Sequence, residues 1–245
     1  MIQAVFFDVD FTLITPGPTF RAEGYRAFCA RHGMEVDVAR FDHAVAGAAP
    51  LLDSPEDTRY TDEIYVKYTR QIIAGMGGQG EGLDACAREI YAEWAACRHF
   101  DLYDDVPAVL NELAAAGIRI GLISNSHRCL ASFQAHFELQ GAVSGAVSSS
   151  EHGLMKPHPS IFRAALDLLD VPAPAAVMVG DSVRQDVEGA LGAGMRAVLL
   201  NRTGAPHPRD AELTALGVPI IRTLSELPST IARLAICVDV DSRSI

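Results

Sequence analysis

Chemistry first becomes possible in this chain where an apolar run ends in two aspartates one residue apart. Val5-Phe-Phe7 leads directly into Asp8 and Asp10. Two carboxylates that close repel unless a cation or a proton sits between them, so the pair points to a metal, a shared proton, or both. An Asx turn would satisfy the same residues. Three further polar groupings follow at wide spacing: Ser124-Asn125, Lys156, and Asp181-Ser182 with Asp186. Each alone has an ordinary explanation as a helix cap, a solvated loop lysine or a turn. They become one site only in a fold that brings them together.

The pattern between them describes such a fold. Val5–Phe7 is a strand apolar on both faces, the mark of a parallel sheet covered on two sides. Pro16-Gly17-Pro18 then breaks the chain, and helical periodicity takes over. One helix places Phe20, Ala27 and Phe28 on a shared face and stops near Gly33, and another covers Val38 to Ala46. Longer helices span 58–74 and 83–98, with the glycine-rich 75–82 as a flexible link. From about residue 100 helices and strands alternate. A helix capped by Asp104 or Asp105 carries Pro107 in its first turn. Strands are expected at 118–123, 142–147, 175–179, 196–200 and 218–221, with one helix facing inward through Ile161, Phe162, Ala165, Leu166 and Leu169 and another containing Asp186. A strand, a helical excursion and then repeating βα units define an α/β chain: a doubly wound parallel sheet with an all-helical insertion. The carboxyl ends of strands in such a sheet converge on one crevice. Asp8, Asp10, Ser124, Asn125, Lys156, Asp181 and Asp186 all fall at or just beyond those ends.

Composition narrows the partners. A net charge of −11 argues against a nucleic-acid partner, because a phosphate backbone is held by clustered Lys and Arg. A small anionic substrate stays compatible, since one metal ion can invert the field of a cleft. No stretch approaches eighteen apolar residues and the start has no basic leader, so neither a membrane span nor secretion is expected, and the compartment expected is cytoplasmic. The five cysteines lack zinc or disulfide spacing and read as buried or idle thiols.

Taken in order, Asp8-Val-Asp-Phe-Thr-Leu13, the strand closing in Ser124-Asn125, Lys156-Pro157 and Gly180-Asp-Ser-Val-Arg-Gln-Asp186 resemble the haloacid dehalogenase superfamily, in its phosphatase-like branch. The resemblance covers roughly residues 2–200. It implies a Rossmann-like core of 1–15 and 99–235, a helical cap of 16–98 above the crevice, and a C-terminal tail of 236–245. It further implies a small phosphorylated metabolite as substrate and Mg²⁺ as cofactor. Carried over, Asp8 is the nucleophile, and Asp10 the acid that protonates the leaving alcohol and later the base that activates water. Asp8, the carbonyl of Asp10 and Asp181 hold the metal. Ser124, Asn125 and Lys156 hold the phosphoryl group, and Asp186 and Ser182 stand behind them. Phe11 departs from the family, which commonly has glycine there, and its bulk would restrict the backbone or seal the crevice floor.

A phosphomutase shares the same four motifs. A 2-haloacid dehalogenase lacks the second aspartate, which this chain keeps as Asp10, and a non-catalytic scaffold is expected to have lost a nucleophile or metal carboxylate. Other residues take humbler expectations: His127 in solvent at a helix start, His158 as a loop or cap residue, Arg184 on a solvated helix face, Arg59, Lys67 and Arg70 on a charged helix surface, and Tyr91 and Trp94 as core between helices.

Overall fold

The computed structural model describes residues 1–52 and 58–241, with side chains described as far as Leu234. The opening run forms β1 (Ala4–Phe7), all four of whose side chains are buried. They divide by parity: Ala4 and Phe6 enter one core, Val5 and Phe7 the other. That is the period-two consequence of a strand covered on both faces.

A tight loop then leads to β2 (Ile14–Pro16), α1 (Ala22–Arg31), α2 (Phe41–Ala48), α3 (Asp62–Gly75), α4 (Leu83–Trp94) and β3 (Phe100–Leu102). β2 and β3 pair antiparallel, Ile14 opposite Leu102 and Pro16 opposite Phe100, so the chain leaves and rejoins the core at one place. The buried stripe of α1 is Tyr25, Phe28 and Cys29, at the i, i+3, i+4 spacing of one helix face. Phe20 is buried too, but in a 3₁₀ turn before α1, and Ala27 faces solvent.

The remainder alternates as its pattern requires: α5 (Val106–Ala115), β4 (Arg119–Ser124), α6 (Leu130–His136), β5 (Val143–Ser148), α7 (Ser149–His152), α8 (Pro159–Leu169), β6 (Ala176–Gly180), α9 (Gly189–Gly192), β7 (Arg196–Leu200), α10 (Asp210–Ala215), β8 (Ile220–Ile221) and α11 (Leu227–Asp241). α8 buries the five residues its periodicity marks, and His158 caps it by accepting from the Ser160 amide at 3.2 Å. Residues 236–241, expected to begin a tail, continue the backbone of α11 instead; the last four residues lie outside the described part. Among the described residues no helix is long and apolar enough to cross a membrane.

The six strands of the main sheet run in the order β5-β4-β1-β6-β7-β8. All their pairings are parallel. β1 is central, with Val5 opposite both Ile120 and Val177. The chain builds outward through β4 and β5 on one side of β1 and through β6, β7 and β8 on the other. The switch point therefore lies at the carboxyl end of β1. This is a Rossmann-like, doubly wound α/β fold.

Candidate active site

Asp8 follows β1 directly, and its amide donates to the Val179 carbonyl at 2.9 Å, which ties the strand end to β6. Its carboxylate accepts from Lys156 Nζ at 2.6 Å, and the same ammonium donates to Asp186 at 2.7 Å. Lys156 is 3% exposed and Asp186 1%. The Ser182 amide holds the second Asp186 oxygen at 3.0 Å. Gly180 permits this, because a Cβ there would lie 2.2 Å from the Asp186 carboxylate. Asp186 itself sits in a π-helical segment, Val183–Glu188, a wide turn found frequently at functional sites. Asp181 completes the group. Oxygens of Asp8, Asp181 and Asp186 approach within 4.8 Å of one another, and Asp181 is the member open to solvent.

Two carboxylates thus share one ammonium, and a third stands beside them. Desolvation pushes Asp8 up to about 7; Lys156 pulls against it, while Asp186 adds to the upward push. Asp181 is raised well above the usual carboxylate range, first by desolvation and then by the charges of Asp8 and Asp186. Burial opposes the charge on Lys156, but Asp186 and Asp8 outweigh it and hold its pKa above that of an ordinary lysine. The cluster is short of positive charge, and its all-oxygen donors suit a hard divalent cation such as Mg²⁺.

The second motif is arranged differently from its reading. Asn125, expected to hold phosphoryl oxygens, has its side chain occupied: Oδ1 accepts from the Lys156 amide at 2.7 Å, and Nδ2 donates to the Lys156 carbonyl and to Gln185 Oε1, both at 3.0 Å. The amide braces the backbone that presents Lys156. Ser124 is 1% exposed and donates to Ser126 Oγ at 3.0 Å, while Ser126 itself lines the cleft.

Asp10 reaches the cleft two residues after Asp8, and its partner was not foreseen. Arg128 Nη1 lies 3.0 Å from each Asp10 oxygen, and Nη2 donates to the Trp94 carbonyl at 2.8 Å. The guanidinium stacks over the Phe100 ring at 4.5 Å and is 1% exposed. A sequence signal existed. Arg128 has no acidic residue near it until Glu138, and it follows directly on a strand-end cluster. A buried arginine must find its counter-charge elsewhere.

The cleft holds about 580 Å³. The insertion roofs it through a clasp next to Lys156: the Met155 amide donates to the Thr58 carbonyl at 2.6 Å, the Tyr60 amide to the Gly153 carbonyl at 3.0 Å, and Gln185 to the Leu52 carbonyl at 3.0 Å. Tyr91 and Trp94, expected only as core, also wall the cleft. Trp94 does pack on Phe20 and Phe100, with centroids 4.5 and 4.9 Å away. His127, expected in contact with solvent at a helix start, is half-buried with its ring 4.1 Å from that of Tyr91, and desolvation lowers its pKa. Arg70 does sit on a charged helix surface, paired with Asp84 at 3.0 Å.

Away from the cleft, Asp105 forms a second cluster. Arg202 donates to both its oxygens at 3.0 Å, Thr223 Oγ1 at 2.6 Å and the Leu224 amide at 2.8 Å. Arg202 also reaches the Thr12 carbonyl at 2.8 Å, bracing the Asp10–Phe11 loop from behind.

The model of the haloacid dehalogenase-like hydrolases matches residues 2–194. The chain belongs to that family. Among curated relatives, this hydrolase is 31% identical over 244 residues, 93% of each chain, to the N-acylneuraminate-9-phosphatase of Mus musculus. It is also 31% identical over 150 residues to the haloacid dehalogenase-like hydrolase domain-containing protein 3 of Danio rerio, spanning 60% of that protein's length. Among solved structures, the 2-haloacid dehalogenase of Pseudomonas syringae pv. Tomato DC3000 is 26% identical, with a TM-score of 0.62 over 95% of this chain and 99% of that one.

Proposed function

We propose that this hydrolase cleaves small phosphomonoesters with Mg²⁺, through an aspartyl phosphate on Asp8. The observation that carries the reading is the sharing of Lys156 between Asp8 and Asp186 at 2.6 and 2.7 Å, beside Asp10 in a roofed cleft. The phosphatase names of its curated relatives support it.

In the first step an Asp8 oxygen attacks phosphorus while Asp10 gives its proton to the departing alcohol oxygen. Asp10, now a carboxylate, takes a proton from water as that water attacks phosphorus, which frees Asp8 and inorganic phosphate. Lys156 offsets charge on the phosphoryl oxygens, and Asp186 keeps it aimed. Ser124 belongs to the phosphoryl cradle through Ser126, and Asn125 through the backbone of Lys156. Arg128 fixes the direction in which Asp10 points. Mg²⁺ would be held by Asp8, the Asp10 carbonyl and Asp181, where it would draw charge from a phosphoryl oxygen. Asp186 stays behind it, since both its oxygens already have partners. Residues 16–98 act as a cap over the core of 1–15 and 99–235.

Phosphate release from a panel of phosphomonoesters tests the reading. Release is expected with Mg²⁺, and Asp8→Asn should lower it by about 10⁴-fold or more. No release from any ester, or an undiminished Asp8→Asn variant, would sink it. The similarity to a 2-haloacid dehalogenase favours a second reading, against which the retained Asp10 counts. Halide release from a 2-haloacid, persisting after Asp10→Asn, is the result that would put it first.

A further inference from the structure

The phosphoryl chemistry occupies the floor of the cleft and leaves its roof to the rest of the substrate. On the roof side Ile64, Tyr65, Tyr68, Ile90, Tyr91 and Trp94 line the cavity, and no described residue of the insertion that does so carries a charge. The cations that line the cleft belong to the core and are engaged: Lys156 between Asp8 and Asp186, Arg209 with Glu188 and Glu212, and Arg184 with an interaction of its own.

The rings of this wall are ordered among themselves. Tyr65 and Tyr91 stack with centroids 5.7 Å apart and planes at 12°, and the Tyr91 ring continues onto His127 at 4.1 Å. Opposite, Phe11 follows Asp10 and lines the same cavity, its ring 6.3 Å from Trp94. Phe11 is 45% exposed and has φ = 63°. A bulky side chain in the left-handed region is strained, and burial of its own ring does not compensate here. An outlier of this kind beside the reacting groups points to a use for the ring.

We propose that the alcohol half of the substrate is uncharged and bears a flat apolar or aromatic group, packed against the ring surface that Phe11, Tyr91 and Trp94 present to the cavity. The proposal rests on the phosphatase reading. An alcohol bearing a carboxylate would lose its water against ring faces and three aspartates, with no cation among the described roof residues to receive it. A flat apolar group loses nothing by the transfer and gains ring contacts.

The test is kcat/KM with Mg²⁺ for 2-phenylethyl phosphate, glycerol 3-phosphate, phosphoserine and phosphoglycolate. All four are esters of primary alcohols, which limits the influence of leaving-group basicity. The phenylethyl ester is expected to lead by about tenfold or more. Phe11→Gly, which relieves the backbone, and Trp94→Leu should each cut that preference several-fold, chiefly through KM. Equal or faster turnover of phosphoserine or phosphoglycolate overturns the proposal and leaves the phosphatase reading standing. A preference unmoved by both variants does the same. Release from none of the four, nor from a broader panel, removes both together.

Discussion

Two clusters of buried carboxylate sit in the same core and are built on opposite terms. At Asp105 one carboxylate meets four donor groups, two of them from a bidentate arginine, and although desolvation works against it, the hydrogen bonds from Arg202, Thr223 and Leu224 hold its pKa below the usual range. At Asp8 three carboxylates cluster around a single ammonium that bonds only two of them, and the pKa values of Asp8 and Asp181 are driven up. The first is a closed structural joint. The second carries more negative charge than its one lysine offsets, which suits the cation and phosphoryl group proposed for it. The Asp10–Arg128 pair stands between them: closed like the joint, but facing the cleft.

Breaking the open cluster should have the largest effect. Lys156→Met strands Asp8 and Asp186 in the interior, so kcat/KM should fall by about 10²–10³-fold and the metal-free protein should lose about 3–5 kcal/mol of stability. Phosphate release and urea unfolding measure the two, and a variant as stable as the parent would show that Lys156 does not balance those carboxylates. Next is Arg128→Lys, which keeps the charge but cannot hold Asp10 and the Trp94 carbonyl together. Loss of aim alone should lower kcat about 10- to 100-fold with KM little changed; an unchanged kcat would remove Arg128 from the site. Smallest is Asp105→Asn, expected to cost about 1–3 kcal/mol with little loss of activity. Its pH dependence has a definite sign. A depressed folded pKa contributes stability that is complete above the ordinary value of 3.8 and fades as pH falls through the lower folded value. The gap between parent and variant should therefore close in acid, and thermal melts at pH 7 and pH 3 would reveal a gap that failed to shrink.

Legibility in the sequence follows the same division. The strand carrying Asp8, the closing of β4 in Ser124 and the placing of Asp181 after β6 were all readable, because a parallel sheet sends its carboxyl ends to one crevice whatever the helices do. The inward face of α8 was equally local. Arg128 was legible only as an arginine without a local counter-charge; its partner lies 118 positions away, and only the folded loop after β1 brings them together. Tyr91 and Trp94 do pack against the core as read, but their second face, on the cleft, was not legible for a related reason. A helix pressed between a core and a cavity is apolar toward both, and periodicity cannot say which face meets which. The side chain of Asn125 illustrates a third limit: a residue at a strand end can serve the neighbouring backbone as well as a ligand.

The pairing of β2 with β3 bears on how such a molecule changes over time. Because the excursion departs and returns through one two-stranded ribbon, the sheet meets it as it would a hairpin. Closing a loop costs only about 0.6 kcal/mol more for each doubling of its length. The roof can therefore be lengthened, trimmed or replaced wholesale while β1, β4 and β6 keep their register, so that the substrate preference and the chemistry proposed for this enzyme can change independently.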